Sequence, residues 1–146
     1  MPSYHESPAD TNLVAFDIAP TIGTTNTNGV VVDMSGWDGC LFLFNIGPIL
    51  ATGTFDARIV SSANSSMTGN ANIANAALTQ VVAAGNTNAY AIDIWRPTLR
   101  YLRSAAVPAT ANVAFSSLTV RYRGAGVTPV AHGATALAQL VKVAQN

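Results

Sequence analysis

From Leu13 to Arg123 the chain is a succession of short β-type runs, each closed by turn chemistry, with no sustained helical period. That punctuation constrains the fold more than any other feature. A run of a few apolar and β-branched residues, stopped before it can nucleate a stable helix, must satisfy its backbone by pairing with another run. The runs are Leu13–Ile18, closed by Pro20 and Gly23; Val30–Met34, stopped by Ser35-Gly36; Cys40–Ile46, closed by Gly47-Pro48; Thr54–Ser61; Leu78–Val82, before the Gly85–Asn88 turn; Ala89–Trp95, ended by Pro97; Tyr101–Val107, closed by Pro108; and Ala114–Arg123, ended by Gly124 and Gly126. They predict an all-β domain of about eight antiparallel strands, built as a jelly roll or a related β-sandwich.

Periodicity assigns faces within these runs. Phe55, Ala57 and Ile59 alternate with Asp56 and Arg58, the pattern of a half-buried strand. Tyr90, Ile92 and Ile94 share one face, as do Leu118, Val120 and Tyr122. Cys40–Ile46 is apolar on both faces, which requires either a central position or a partner covering it. Ser62–Asn75 reads as a long loop, and Ala71–Leu78 as one or two helical turns. Trp37, just before the third run, is placed to plug one end of the sandwich. The organisation expected is an extended polar arm over residues 1–12, a sandwich over 13–124, and a tail over 125–146. Within that tail Ala134–Ala144 is Ala-rich, with Leu137, Leu140, Val141 and Ala144 at helical spacing, and is expected to form a short helix.

Composition narrows the function. Of the 146 residues 49% are hydrophobic and only 10% charged, where an average soluble domain carries roughly a quarter. A chain with so little charge either has a neutral polar surface or buries much of it against partners. The net charge is zero, so the positive field that gathers nucleic acid is missing and no nucleic-acid partner is expected. Arg96, Arg100 and Arg103 fall close together; they suit an interface, and equally ordinary salt bridges beside strands. The single cysteine, Cys40, rules out an intrachain disulfide. The first residues have neither a basic region nor an apolar stretch of a secretory signal, and no run is long enough to span a bilayer. A soluble protein made in the cytoplasm, with no membrane partner, is expected.

The chemistry-bearing residues form no recognisable set. His5 and His132 both fall in the predicted tails, without the positioned partner a general base needs. No metal-ligand spacing, phosphate loop or dinucleotide fingerprint occurs. The carboxylates are scattered, and a hydrolase would require two or more of Asp33, Asp38, Asp56 and Asp93 to converge in a cleft. The expectation is a non-enzyme with no catalytic residue, no cofactor and no metal. Most of the aromatic residues fit core packing better than sugar or base stacking, and Trp95 beside Arg96 is the pair best suited to an interface. The contact residues expected are Tyr4 and His5 in the arm, Trp95, Arg96 and Arg100, and Leu137 and Leu140 in the tail.

Several segments taken in order resemble a known group. Val30–Gly47 contains Asp33-Met34-Ser35-Gly36-Trp37-Asp38 followed by an apolar strand; Thr52–Val60 contains Gly53-Thr54-Phe55; Ala89–Trp95, then Leu99–Ala105 with Arg100-Tyr101-Leu102-Arg103, and finally Phe115–Tyr122 follow. This order resembles small proteins encoded among the head genes of tailed phages, whose segments read D-x-x-G-[YW]-[DE], G-T-F and K/R-R-Y-[VL]-R. More loosely, it is similar to the jelly-roll cement (decoration) proteins of podovirus capsids. The likeness covers about residues 13–123 and departs from the group in the Ser/Asn-rich Ser61–Asn75, where many members carry a more charged loop. It implies a virion protein on the capsid exterior that binds the major capsid protein and copies of itself, as dimers or trimers, and reinforces the shell. Other virion positions (neck, tail or head fibre) share the fold and composition, and a carbohydrate-binding jelly roll is a further alternative.

Overall fold

The computed structural model describes residues 12–124 and 137–145. The strands are β1 (Asn12–Gly23), β2 (Thr27–Asn28), β3 (Val32–Asp33), β4 (Gly39–Ile49), β5 (Thr54–Ser62), β6 (Ala71–Ala77), β7 (Val81–Val82), β8 (Asn88–Trp95), β9 (Tyr101–Ala109), β10 (Val113–Tyr122) and β11 (Gln139–Ala144), with a 3-10 turn at Ala83–Gly85. Their pairing is nested. β1 pairs β10, β2 and β3 pair β9, β4 pairs β8, and β5 pairs β6 and β7, all antiparallel. A ribbon paired in this way rolls up when β10 also joins β4 and β9 joins β5. The result is a five-stranded sheet in the order β1-β10-β4-β8-β11 facing a six-stranded sheet built on β2-β9-β5-β6. This is jelly-roll winding, as expected. β2 with β3, and β6 with β7, each fill one strand position, so eight positions become eleven strands once β11 is added.

The core lies between the sheets. Phe42 and Phe44 from β4, Ile92 and Ile94 from β8, Phe55 and Ile59 from β5 and Leu102 from β9 are fully buried. Phe55 packs its ring against Phe44 and Phe115. Each such side chain stabilises the fold by about 2–3 kcal/mol through removal from water. Trp37 packs half-buried against this core, as a plug at one end should.

Several strand ends differ from expectation. β1, β4 and β9 run through Pro20, Gly47-Pro48 and Pro108. β1 is an edge strand with register shifts around Ile18, so Pro20 removes little from the ladder. Pro48 sits at a bulge opposite β10, and Pro108 lies past the end of the short β2 ladder. Ala71–Leu78 forms β6 and not helical turns. Asn75 takes a positive φ of 63°, which lets Ile73 and Ala76 both turn inward.

The expected C-terminal helix is also a strand. β11 lies parallel to β8 along six register pairs from Gln139↔Tyr90 to Ala144↔Trp95. Alternation sends Val141 and Val143 towards the core and Leu140 outward. The open edge of β8 offers a ladder of unpaired backbone groups, and that gain outweighs the helical preference of the alanines. Among the described residues no helix is long and apolar enough to cross a membrane.

Candidate interaction surface

Two surfaces stand out: one end of the sandwich and the outer face of the five-stranded sheet. At the end, the loops following β3, β8 and β10 meet. Asp38 organises them, since its carbonyl accepts from Arg96 N at 2.7 Å and its Oδ2 from Gly124 N at 2.6 Å, while Asp38 N donates to Tyr122 O. Arg100 makes a bidentate pair with Asp33, both contacts 2.8 Å, and stacks on Tyr101. The Arg100 guanidinium and the Ser35 amide hold the Asp33 carboxyl well below the usual carboxylate range, at about 2. Arg121 and Arg123 both lie over the Trp37 ring, at 5.5 and 5.3 Å. Arg96 sits over Trp95, and Trp95 stacks on Tyr122 with centroids 5.9 Å apart. Met34, Trp37, Asp38, Arg96, Leu99 and Arg100 line a shallow cleft of about 320 Å³ here.

The structure thus brings together Trp95, Arg96 and Arg100 among the expected contact residues. Arg96 and Arg100 are exposed and Trp95 is half-buried. Leu137 and Leu140 are half-buried, Leu140 on the outward side of β11 beside Ala91. Tyr4, His5 and His132 lie outside the described residues. The grouped Arg103 separates from its neighbours: it is half-buried on β9 opposite Val60, and its Nε has no hydrogen-bond partner among the described residues.

The outer sheet face carries, besides Leu140, residues that sequence reasoning did not place at an interface. Register places Val14 and Phe16 of β1, Leu118, Val120 and Tyr122 of β10, Leu41 and Leu43 of β4, and Leu140 of β11 on one surface. Phe16 is 66% exposed and Val14 55%. The second half of β10 is inverted relative to an ordinary sandwich strand, whereas Val113 and Phe115 in its first half face the core. Its polar Ser117 and Thr119 point inward and are buried, while Leu118 and Val120 point outward. Both inward polar residues find partners on β1. Ser117 donates to Asp17 at 2.7 Å, and Thr119 reaches the Ala15 carbonyl. The outward apolar set has no such internal reason. A signal for it existed in Leu13-Val14-Ala15-Phe16, which is apolar at both parities of a strand.

Towards the Trp95 end of this face Tyr122 donates to Asp93 Oδ1 at 2.5 Å, with Lys142 in register beside Asp93. Desolvation raises the Asp93 pKa above its ordinary value against the lowering effect of the Tyr122 bond. The four carboxylates of which a hydrolase would need to gather two or more have separate partners. Asp33 holds Arg100, Asp38 the Gly124 amide, Asp56 the Gln80 amide and Asp93 Tyr122. Among the described residues no group of three or more His, Cys, Asp and Glu is placed to hold a metal ion.

No family model matches the sequence. No curated protein matches it either. Among solved structures the fold is similar to that of PBSX exported protein XepA, with a TM-score of 0.59 and 13% identity over 82% of this chain. The matched region is 40% of XepA, so this chain spans less than half the length of that protein. At this identity the likeness is one of fold: a β-sandwich of the same kind.

Proposed function

We propose that this chain is a structural, non-catalytic virion protein, a cement (decoration) protein that binds the outside of the major capsid protein lattice and stabilises the phage head. The observation that carries this reading is the inverted second half of β10, which turns the half-buried Leu118 and Val120 outward beside the exposed Phe16 and Val14. Singly exposed apolar residues are ordinary, but a contiguous apolar sheet face rimmed by polar residues marks a contact surface. The low charge of the chain and its fold likeness to a phage-related protein support the same reading. Many copies on a closed lattice would bind multivalently, so each contact can be modest.

The test is the number of copies per major capsid protein in purified particles, together with rebinding of Phe16→Asp and Leu118→Asp variants to stripped shells. A simple lattice ratio, with binding lost in variants that keep the wild-type unfolding midpoint, supports the cement role. A handful of copies moves the protein to the neck, tail or a head fibre. Absence from particles overturns the proposal. A carbohydrate-binding module is less favoured because both indoles are engaged by the protein's own groups, Trp37 by Arg121 and Arg123, and Trp95 by Arg96 and Tyr122.

A further inference from the structure

β11 fills a slot between the sheets. One side of the slot is the edge of β8, which pairs with β11 backbone to backbone, and the other is β6, against which β11 also packs. Val141 and Val143 close the seam over the core. Side chains lock both ends. The Gln139 carboxamide accepts from Thr79 N at 3.0 Å and donates to Thr79 Oγ1 at 3.2 Å. At the far end Gln145 N donates to the Trp95 carbonyl at 2.9 Å, and Gln145 Oε1 accepts from Thr98 N at 3.3 Å. The slot is therefore specific in register and in direction, yet no residue of β11 is fully buried.

The strand also enters from the far end of the sheet. Gly124 lies against the Trp95 ring, whereas Ala138 donates to the Ala89 carbonyl at the start of β8. The path along β8 between these points is roughly 20 Å at a strand rise of about 3.3 Å per residue. The chain between Gly124 and Ala138 reaches up to about 45 Å at its extended limit. Parallel pairing needs such a connection, because no tight turn can deliver the strand. The available length exceeds the need within one molecule.

We propose that this slot is a strand-acceptor site and that copies of the chain exchange β11 through it, Gln139–Ala144 of one copy docking on β8 of the next. The ladder, the two valines and the glutamine clamps are identical in cis and in trans. The exchange therefore costs only the entropy of bringing copies together. Neighbours already fixed side by side have lost that entropy. The inference stands on the geometry of β11 and does not require the capsid reading.

Ala89 and Ala138 are adjacent across the β8–β11 junction, and both are small. A chain carrying Ala89→Cys and a differently tagged chain carrying Ala138→Cys, each otherwise full length, are mixed in denaturant, refolded together at high concentration and oxidised mildly. Non-reducing gels of the mixture are expected to show a disulfide-linked dimer holding both tags, absent from either variant alone. The Ala89→Cys/Ala138→Cys double variant is the geometric control and must cross-link. A double variant that links only within one chain, with no mixed dimer, overturns the exchange. A double variant that fails to link overturns the slot itself. The native Cys40 is fully buried and stays out of the reaction. Copy number on particles is a separate measurement, so this test and that of the capsid role can fail independently.

Discussion

Ser104 on β9 donates its hydroxyl to Asp17 Oδ2 on β1 at 2.5 Å, and so ties the six-stranded sheet to the five-stranded one. Ser117 on β10 donates to the same oxygen at 2.7 Å and accepts from Ile18 N. The other carboxylate oxygen, Oδ1, is buried without a hydrogen-bond partner among the described residues. Desolvation raises the Asp17 pKa above its ordinary 3.8 despite the two serine bonds.

The sign of the resulting pH dependence follows from that direction. An acid whose folded pKa exceeds its unfolded value keeps its proton longer in the native state. Its contribution is most favourable below about pH 4 and is lost as pH rises through the raised folded value. The wild type should therefore lose more urea resistance between pH 4.5 and 7.5 than Asp17→Asn, in which this group cannot titrate. Equal slopes would show that the buried carboxyl does not behave as described.

Gly29 lies directly under this network. Its amide donates to the Ser104 carbonyl, and a β-carbon there would collide with the Asp17 carboxylate and the Ser104 hydroxyl. Gly29→Ala is expected to destabilise the fold by about 1–3 kcal/mol in equilibrium unfolding. Because the clash is with Asp17, adding Asp17→Ala should cost less in the Gly29→Ala background than in the wild type. Strict additivity would contradict the contact.

Asp33 and Arg100 predict the opposite slope at lower pH. The Asp33 pKa is held down to about 2, so its contribution is present above pH 4 and is lost as pH falls towards 2. The pair is exposed and salt should screen it. Unfolding midpoints of wild type and Asp33→Asn should therefore converge between pH 4 and 2, and the gap at pH 5 should shrink in high salt.

Tyr122→Phe removes the donor that serves the partly buried Asp93. A loss of about 1–3 kcal/mol is expected from the carboxylate left without its hydroxyl. Replacing both groups, as Tyr122→Phe with Asp93→Leu, should recover much of it. Calorimetric unfolding of the single and double variants separates these outcomes.

How far the sequence could be read varies element by element. Phe55/Ala57/Ile59 and Tyr90/Ile92/Ile94 alternate because one face of each strand meets the core, and the structure places them there. For β10 the same reading finds a common face for Leu118, Val120 and Tyr122 but does not say that this face points outward. The direction depends on Asp17, a residue on another strand that demands serine partners inside. Trp95, Arg96 and Arg100 were found because they lie close together in sequence, from the end of β8 through the following loop; Phe16 was missed because its neighbours across the sheet come from β10, far away in sequence.

The sequence by itself determined what is local: strand period, the scarcity of charge and the absence of a recognisable catalytic pattern. Those follow from backbone sterics and from residues near one another along the chain. Tertiary structure decided which apolar face is covered, why a carboxylate is buried between the sheets, and that an Ala-rich tail becomes a strand. Each of these rests on a partner brought in from elsewhere: Ser104 and Ser117 for Asp17, and the open edge of β8 for Gln139–Ala144. A strand edge stabilises whatever chain can satisfy it, and no local propensity records where that edge will be.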